Sequence, residues 1–177
     1  MIIHSLIQPE SYRTCICCTL YIVLRFQALK MVVALSNPLV QSYIFILALK
    51  VLTMAGLTAL QRYRKGVFAN VEDTKLRSGA VVKYDDPDVE RVRRAHLNDL
   101  ENIPVFWVLG VLYLTTGPSS DAAATLFRVY TAGRIVHTIV YAVVPLPQPT
   151  RFIAYGIPMA IKLYMGFQVF VHYINAW

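Results

Sequence analysis

Long apolar runs separated by short polar connections set the pattern of the chain. Residues 39–60 form a stretch of 22 whose one charge is Lys50. Residues 103–116 are apolar for only fourteen positions, but the helix-compatible run 88–102 precedes them. A helix over 88–116 would therefore enter a bilayer with a polar lower half. Residues 122–144 and 152–174 are runs of 23; the first carries Arg128, Arg134 and His137, the second Lys162 and His172. A hydrocarbon core of about 30 Å takes about 20 residues at about 1.5 Å each. The pattern predicts an all-α integral membrane four-helix bundle over 37–177, with helices at 39–60, 88–116, 122–144 and 151–174. Turns fall at 115–120 and 145–149, where Gly, Pro and Ser gather.

Composition agrees with a membrane setting. The chain of 177 residues is 56% hydrophobic and 15% charged, where soluble domains carry about 25% charged residues. That balance excludes a disordered chain, a nucleic-acid-binding domain and an ordinary cytosolic enzyme. The net charge of +7 is not spread evenly, since nine of seventeen Lys and Arg lie between Arg62 and Arg94. Arg62, Arg64, Lys65, Lys75, Arg77 and Lys83 mark the first connection as cytoplasmic, and Arg151 marks the third. Both ends of the bundle are then lumenal. Residues 1–36 fit no span: the apolar run 15–24 is short, and Arg25 and Lys30 follow it. We read 1–36 as an extension, with Met31 as the expected working start. Cys15, Cys17 and Cys18 are too clustered to staple a fold and have no second cluster for zinc.

Ionisable residues inside a membrane are costly and by default mark function. At about 100° per residue, Glu90, Arg94, Asn98 and Glu101 share one face of the second helix. Tyr130, Arg134, His137 and Tyr141 do so on the third, and Arg151, Tyr155 and Lys162 on the fourth. Bland readings stand beside this. Glu90, Arg94 and Glu101 fit neighbouring ion pairs on a solvated helix end. Arg134 and His137 fit pairing with Glu101 or Asp99 to hold helices together. Tyr141 and Tyr155 fit an interfacial belt, and Arg128 and His172 fit snorkelling helix ends. The convergence of several Arg, without matching intramembrane acids in the apolar runs, favours a pocket for a small polyanion bearing an amino group. No Ser-His-Asp set, HExxH, P-loop or dinucleotide glycine motif occurs. Arg and Tyr can hold an anion and stabilise a thiolate, which suits a thiol substrate better than hydrolysis.

The stretches Phe68-Ala69-Asn70-x-Glu72-Asp73, Asp88-Val89-Glu90-Arg91-x-x-Arg94-Ala95-His96-x-Asn98-Asp99-x-Glu101 and Gly133-Arg134-x-x-His137-Thr138-x-x-Tyr141 resemble the membrane-associated eicosanoid and glutathione metabolism family. The likeness covers residue 37 to the C-terminus and is nearer to the glutathione transferases of the family than to its prostaglandin synthases. It implies a homotrimer that binds glutathione between subunits at the cytoplasmic side. Arg94, Asn98 and Glu101 match residues that hold the γ-glutamyl part, and Arg62, Arg134, His137, Tyr141 and Tyr155 match further pocket positions. Arg151 matches the arginine that stabilises the thiolate. Leu97 and Phe152 replace an arginine and a serine of the prostaglandin synthases, and Thr74 replaces the cysteine through which vertebrate transferases are activated.

The resulting expectation is a glutathione transferase of the endoplasmic reticulum membrane and also of the mitochondrial outer membrane. Its catalytic residues are Arg151, Tyr141 and Tyr155, its glutathione-binding residues Arg62, Arg94, Asn98, Glu101, Arg134 and His137. It conjugates lipophilic electrophiles and reduces lipid hydroperoxides, with no metal and no nucleic acid. A glutathione-dependent prostaglandin isomerase and a non-catalytic lipid-binding scaffold are the alternatives; a channel is disfavoured by short loops and the lack of an internal repeat.

Overall fold

The computed structural model describes residues 37–174, together with helical positions 21, 24–26, 28 and 29. The cysteine cluster and the expected start at Met31 lie outside the described residues. Four long helices follow: α1 (Pro38–Lys65), α2 (Pro87–Thr115), α3 (Ser120–Thr138) and α4 (Thr150–Ile174). Two of them, α1 from Val40 and α4, are long and apolar enough to cross a membrane.

The ends of the helices follow from local chemistry. α1 runs past Leu60 and finishes on Arg62, Arg64 and Lys65, cations that suit the negative end of a helix dipole. Gly66, at φ 65°, turns the chain out. Arg77 then reaches back and donates from Nη1 to the carbonyl oxygens of Tyr63 and Arg64, so the last carbonyls of α1 are capped by its own connection. That connection holds a two-residue parallel pair, β1 (Val67–Phe68) with β2 (Val81–Val82), around a short 3-10 turn over Glu72–Leu76. The carboxylate of Asp86 caps α2 by accepting from the N–H groups of Asp88 and Val89, both at 3.1 Å, and Pro87 occupies the first turn, where no donor is needed.

The third helix differs from the regular run expected over 122–144. Beyond Thr138 the backbone widens into a π turn over Ile139–Val143. The N–H of Val144 donates to the carbonyl of Ile139 at 2.8 Å, and Pro145 follows at once. A proline there cannot extend the helix, so the wide turn satisfies the last carbonyls while the chain leaves.

α1 and α4 each pack on both α2 and α3. α3 and α4 meet tightly at Gly133, where an added Cβ would sit 2.6 Å from Cγ of Pro158. The apolar core joins Leu47, Ile103, Phe106, Phe127, Tyr130 and Met165, with Phe106 and Tyr130 stacked at 3.6 Å between ring centroids. A smaller cluster of Met54, Val92 and Ala95 lies further along the same helices toward the α1–α2 connection. Lys50 stands between Leu47 and Met54 in sequence, and Asp99 between Ala95 and Ile103. A charged layer thus separates the two apolar clusters.

Candidate functional site

The charged layer is built on Asp99, fully buried on α2. Lys50 of α1 and Arg134 of α3 both pair with its carboxylate, and Nη2 of Arg134 also donates to Asn98 Oδ1 at 2.9 Å. Each partner comes from a different helix, so the carboxylate ties α1, α2 and α3 at one level. Below it Lys162 of α4 donates to Asn102 Oδ1, while the Tyr130 hydroxyl donates to the Asn102 carbonyl at 3.0 Å. The expectation of intramembrane arginines without an acid is corrected here. Asp99 is that acid, and a lone Lys50 in an apolar span was the signal pointing to one. Of the two pairings open for Arg134, the structure makes the one with Asp99.

A second cluster lies toward the C-terminal end of α3 and the N-terminal end of α4. The His137 ring is 4% exposed and stands 5.4 Å from Tyr141 and 6.2 Å from Tyr155, centroid to centroid. The guanidinium carbon of Arg151 lies 5.2 Å from the centre of the Tyr141 ring. His137 and Tyr141 are four residues apart on α3 and its π turn, and Arg151 and Tyr155 four apart on α4. The close seat of Pro158 on Gly133 holds the two pairs together. Arg151 occupies the first turn of α4, where free backbone N–H groups and the helix dipole add positive potential. One of those donors is already used, the Phe152 N–H on Gln148 Oε1 at 3.2 Å.

Arg62 and Arg94 form a third group around Glu90. The hydrogen-bonded Arg93 holds the Glu90 carboxyl below its ordinary range, with Arg62 and Arg94 adding to the effect. Arg94 and Glu101 are exposed on α2, and Asn98 is half-buried. The nine expected site residues therefore fall into two closed groups within one chain, His137–Tyr141–Tyr155–Arg151 and Asn98–Arg134, with Arg62 and Arg94 beside Glu90. Glu101 stands apart from them on an open face. Sequence reasoning missed Asn102, while the structural part it offered Asp99, pairing with Arg134 to hold helices together, is the one observed.

The hydrogen-bond accounts of these groups differ. Among the buried side-chain atoms without a partner are Nη1 of Arg62, Nε of Arg151, Nε of Arg134 and Nδ1 of His137, beside Nε1 of Trp107 and the hydroxyls of Thr131 and Thr138. Buried donors without partners are expensive, so three cationic side chains and an imidazole facing open hydrogen-bond positions describe a receptor for an anion. Among the described residues no group of three His, Cys, Asp or Glu could hold a metal ion. Phe152, next to Arg151 in the chain, is 70% exposed.

Comparison with known proteins fits this chemistry. The MAPEG family model matches residues 40–171. Microsomal glutathione S-transferase 1 of Mus musculus is 42% identical over 132 residues, covering 72% of this chain and 84% of that protein. The Homo sapiens protein of the same name gives the same figures. Prostaglandin E synthase of Bos taurus is 40% identical over 124 residues, 70% of this chain and 80% of its own.

Proposed function

The chain belongs to the MAPEG family, and from that membership we propose a membrane-bound glutathione transferase that works as a homotrimer of four-helix bundles. The observation that carries the reading is the set of buried, unpartnered Arg151, Arg62 and His137 nitrogens. A doubly carboxylated thiol tripeptide supplies the acceptors they lack. Arg62 takes a carboxylate, and Asn98, Arg94 and Glu101 take the γ-glutamyl end, Glu101 on its ammonium. Because Arg94 and Glu101 are exposed in the single chain, a neighbouring subunit brings them against the other groups. Arg134 contributes through its free Nε and by fixing Asn98.

Arg151, with Tyr141 and Tyr155, stabilises the thiolate. Moving a thiol from its ordinary value near 8.5 to about 6.5 is worth roughly 3 kcal/mol. A hydrogen bond from a charged donor supplies about 1.5–3 kcal/mol, and a tyrosine hydroxyl about 1 more. The start of α4 adds its dipole. The thiol proton leaves to solvent, and the sulfur attacks an electrophilic carbon arriving from the bilayer, forming the S–C bond as the leaving group departs with its electron pair. With a lipid hydroperoxide the sulfur attacks the terminal oxygen instead, breaking the O–O bond to release the alcohol and leave glutathione sulfenic acid, which a second glutathione converts to the disulfide and water. The site faces the cytosol, in the endoplasmic reticulum membrane and the mitochondrial outer membrane.

Prostaglandin isomerisation is the second reading, favoured by the bovine synthase likeness. Phe152 and Leu97 stand against it, because hydrocarbon replaces polar groups at those positions. The deciding experiment mixes solubilised protein with glutathione, follows the thiolate absorbance, then adds a chlorinated nitrobenzene. A stoichiometric thiolate signal followed by conjugate is expected. Arg151→Ala should keep the trimer and glutathione affinity within an order of magnitude while losing most turnover. Turnover unchanged in that variant removes Arg151 from the role.

A further inference from the structure

Arg77 has no part in the chemistry above, yet it is bonded to the turn that carries Arg62. Its Nη1 donates to the carbonyl oxygens of Tyr63 and Arg64, the two residues that follow Arg62 in α1. Its guanidinium carbon lies 6.0 Å from the centre of the Tyr63 ring and 3.7 Å from where a Cβ on Gly66 would stand. The backbone of Arg77 is itself framed. Its N–H donates to the Thr74 carbonyl at 3.3 Å, and its carbonyl accepts from the Ala80 N–H at 3.2 Å. The next N–H in the chain, that of Val81, closes on the Gly66 carbonyl at 3.0 Å. Arg77 is therefore held between the 3-10 turn and β2 while its side chain reaches across to α1.

Charge alone does not account for this placement. Arg62, Arg64 and Lys65 already supply cations to the last turn of α1, and these complement the helix dipole without further help. A fourth cation among them is repelled by the other three. What Arg77 adds is a pair of charge-assisted hydrogen bonds to two carbonyls that the helix itself leaves open. Helix ends otherwise fray, with opening free energies that fall toward zero at the last turn. Arg62 stands in that turn, half-buried, with its Nη1 buried and unpartnered. A ligand-binding side chain on a fraying turn has to be ordered when the ligand arrives, and that ordering is subtracted from affinity.

We propose that Arg77 is a positioning residue for glutathione, keeping the last turn of α1 wound so that Arg62 meets a carboxylate in place. Arg77 touches no substrate in this arrangement, and the proposal rests on the reading of Arg62 as a carboxylate ligand. Binding held ready in this way serves ground state and transition state alike, so its loss raises KM and spares kcat.

Steady-state conjugation by Arg77→Met, with glutathione varied, tests this. The KM for glutathione should rise about three- to fivefold with kcat within a factor of two. The ratio of variant to native KM should be the same in about 0.5 M salt, which screens the field of an exposed charge. Added to Arg62→Ala, Arg77→Met should raise KM no further, because the turn then carries nothing to position. Asp88→Asn, which releases Lys65 at the same helix end, is the control and should leave KM as it is. An unchanged KM in Arg77→Met overturns the proposal, as do multiplying effects of the two arginine variants, a KM ratio that disappears in salt, or an equal rise in Asp88→Asn. Arg77→Ala is the second variant, and loss of the fold in both also overturns it, since Arg77 would then be holding the whole chain. An unchanged KM in Arg62→Ala removes the reading of Arg62 and this proposal with it. A raised KM there with Arg77→Met unaffected removes this proposal alone.

Discussion

The layer around Asp99 and the cluster around Arg151 meet on α3, where Arg134 and His137 are three residues apart, yet they are opposites in their hydrogen-bonding. Around Asp99 the carboxylate is answered by Lys50 and Arg134, from two other helices. Around Arg151 the contacts are ring faces, and Nε of Arg151 and Nδ1 of His137 are buried without a partner. A carboxylate answered from both sides describes a fastener, with only Nε of Arg134 left open. Deliberate incompleteness describes a receptor, because only a ligand removes its cost. Substitution should therefore act on stability in the first region and on turnover in the second.

The largest effect is expected for Asp99→Ala. It leaves Lys50 and Arg134 buried with no counter-charge, and breaking a buried pair in this way costs about 3–5 kcal/mol. Chemical unfolding in detergent should show that loss. Arg134→Met should cost less, since Lys50 still answers Asp99. If Asp99→Ala were as stable as the native chain and only its turnover fell, the division between the two regions would collapse.

Gly133→Ala comes next and joins the two regions. A Cβ 2.6 Å from Pro158 Cγ must push α3 and α4 apart, and overpacking of this kind costs about 1–3 kcal/mol. The displacement also separates His137 from Tyr155, so this variant should lose both stability and turnover, with thermal unfolding and conjugation measured on one preparation. A smaller and purely functional loss is expected for Arg62→Ala. Removing one carboxylate contact should raise the KM for glutathione about tenfold, about 1.4 kcal/mol, with kcat within a factor of two and unfolding unchanged.

Much of this contrast was legible in the sequence, and the rest was hidden for physical reasons. Helical spacing put Arg134, His137 and Tyr141 on one face and Arg151 and Tyr155 on another, and the structure brings His137, Tyr141, Tyr155 and Arg151 together. Spacing says which face a residue takes and nothing about what stands opposite. Lys50 was left alone in its span, and Asp99, one position from Asn98 in a polar run, looked like any other helix-end acid. Only the crossing of α1 and α3 over α2 makes it the centre of a layer. The π turn was equally hidden, because Ile139–Val143 is a regular apolar pattern and the widening is forced by Pro145 after it. Local end signals also lie in the sequence, Asp86 before Pro87 and Gly66 after Lys65, though the apolar run alone ended the first helix at residue 60.

The least effect is expected at Asp88, a surface control for both regions. Its carboxylate pairs with Lys65 across the α1–α2 connection and with Arg91 one turn on. Lys65, and Arg91 after it, hold the Asp88 carboxyl below its ordinary value. A carboxyl depressed in the folded state contributes stability above its unfolded value, near 3.9, and loses it as pH falls through the lower folded value. Surface pairs of this kind contribute little and are screened by salt. Asp88→Asn should therefore unfold slightly earlier than the native chain at pH 7 and low salt, and the gap should close both on acidification toward pH 3 and on adding salt. Conjugation should not change. A gap that persisted in acid would mean that Asp88 acts through the first turn of α2, where its uncharged replacement packs differently, and not through its charge.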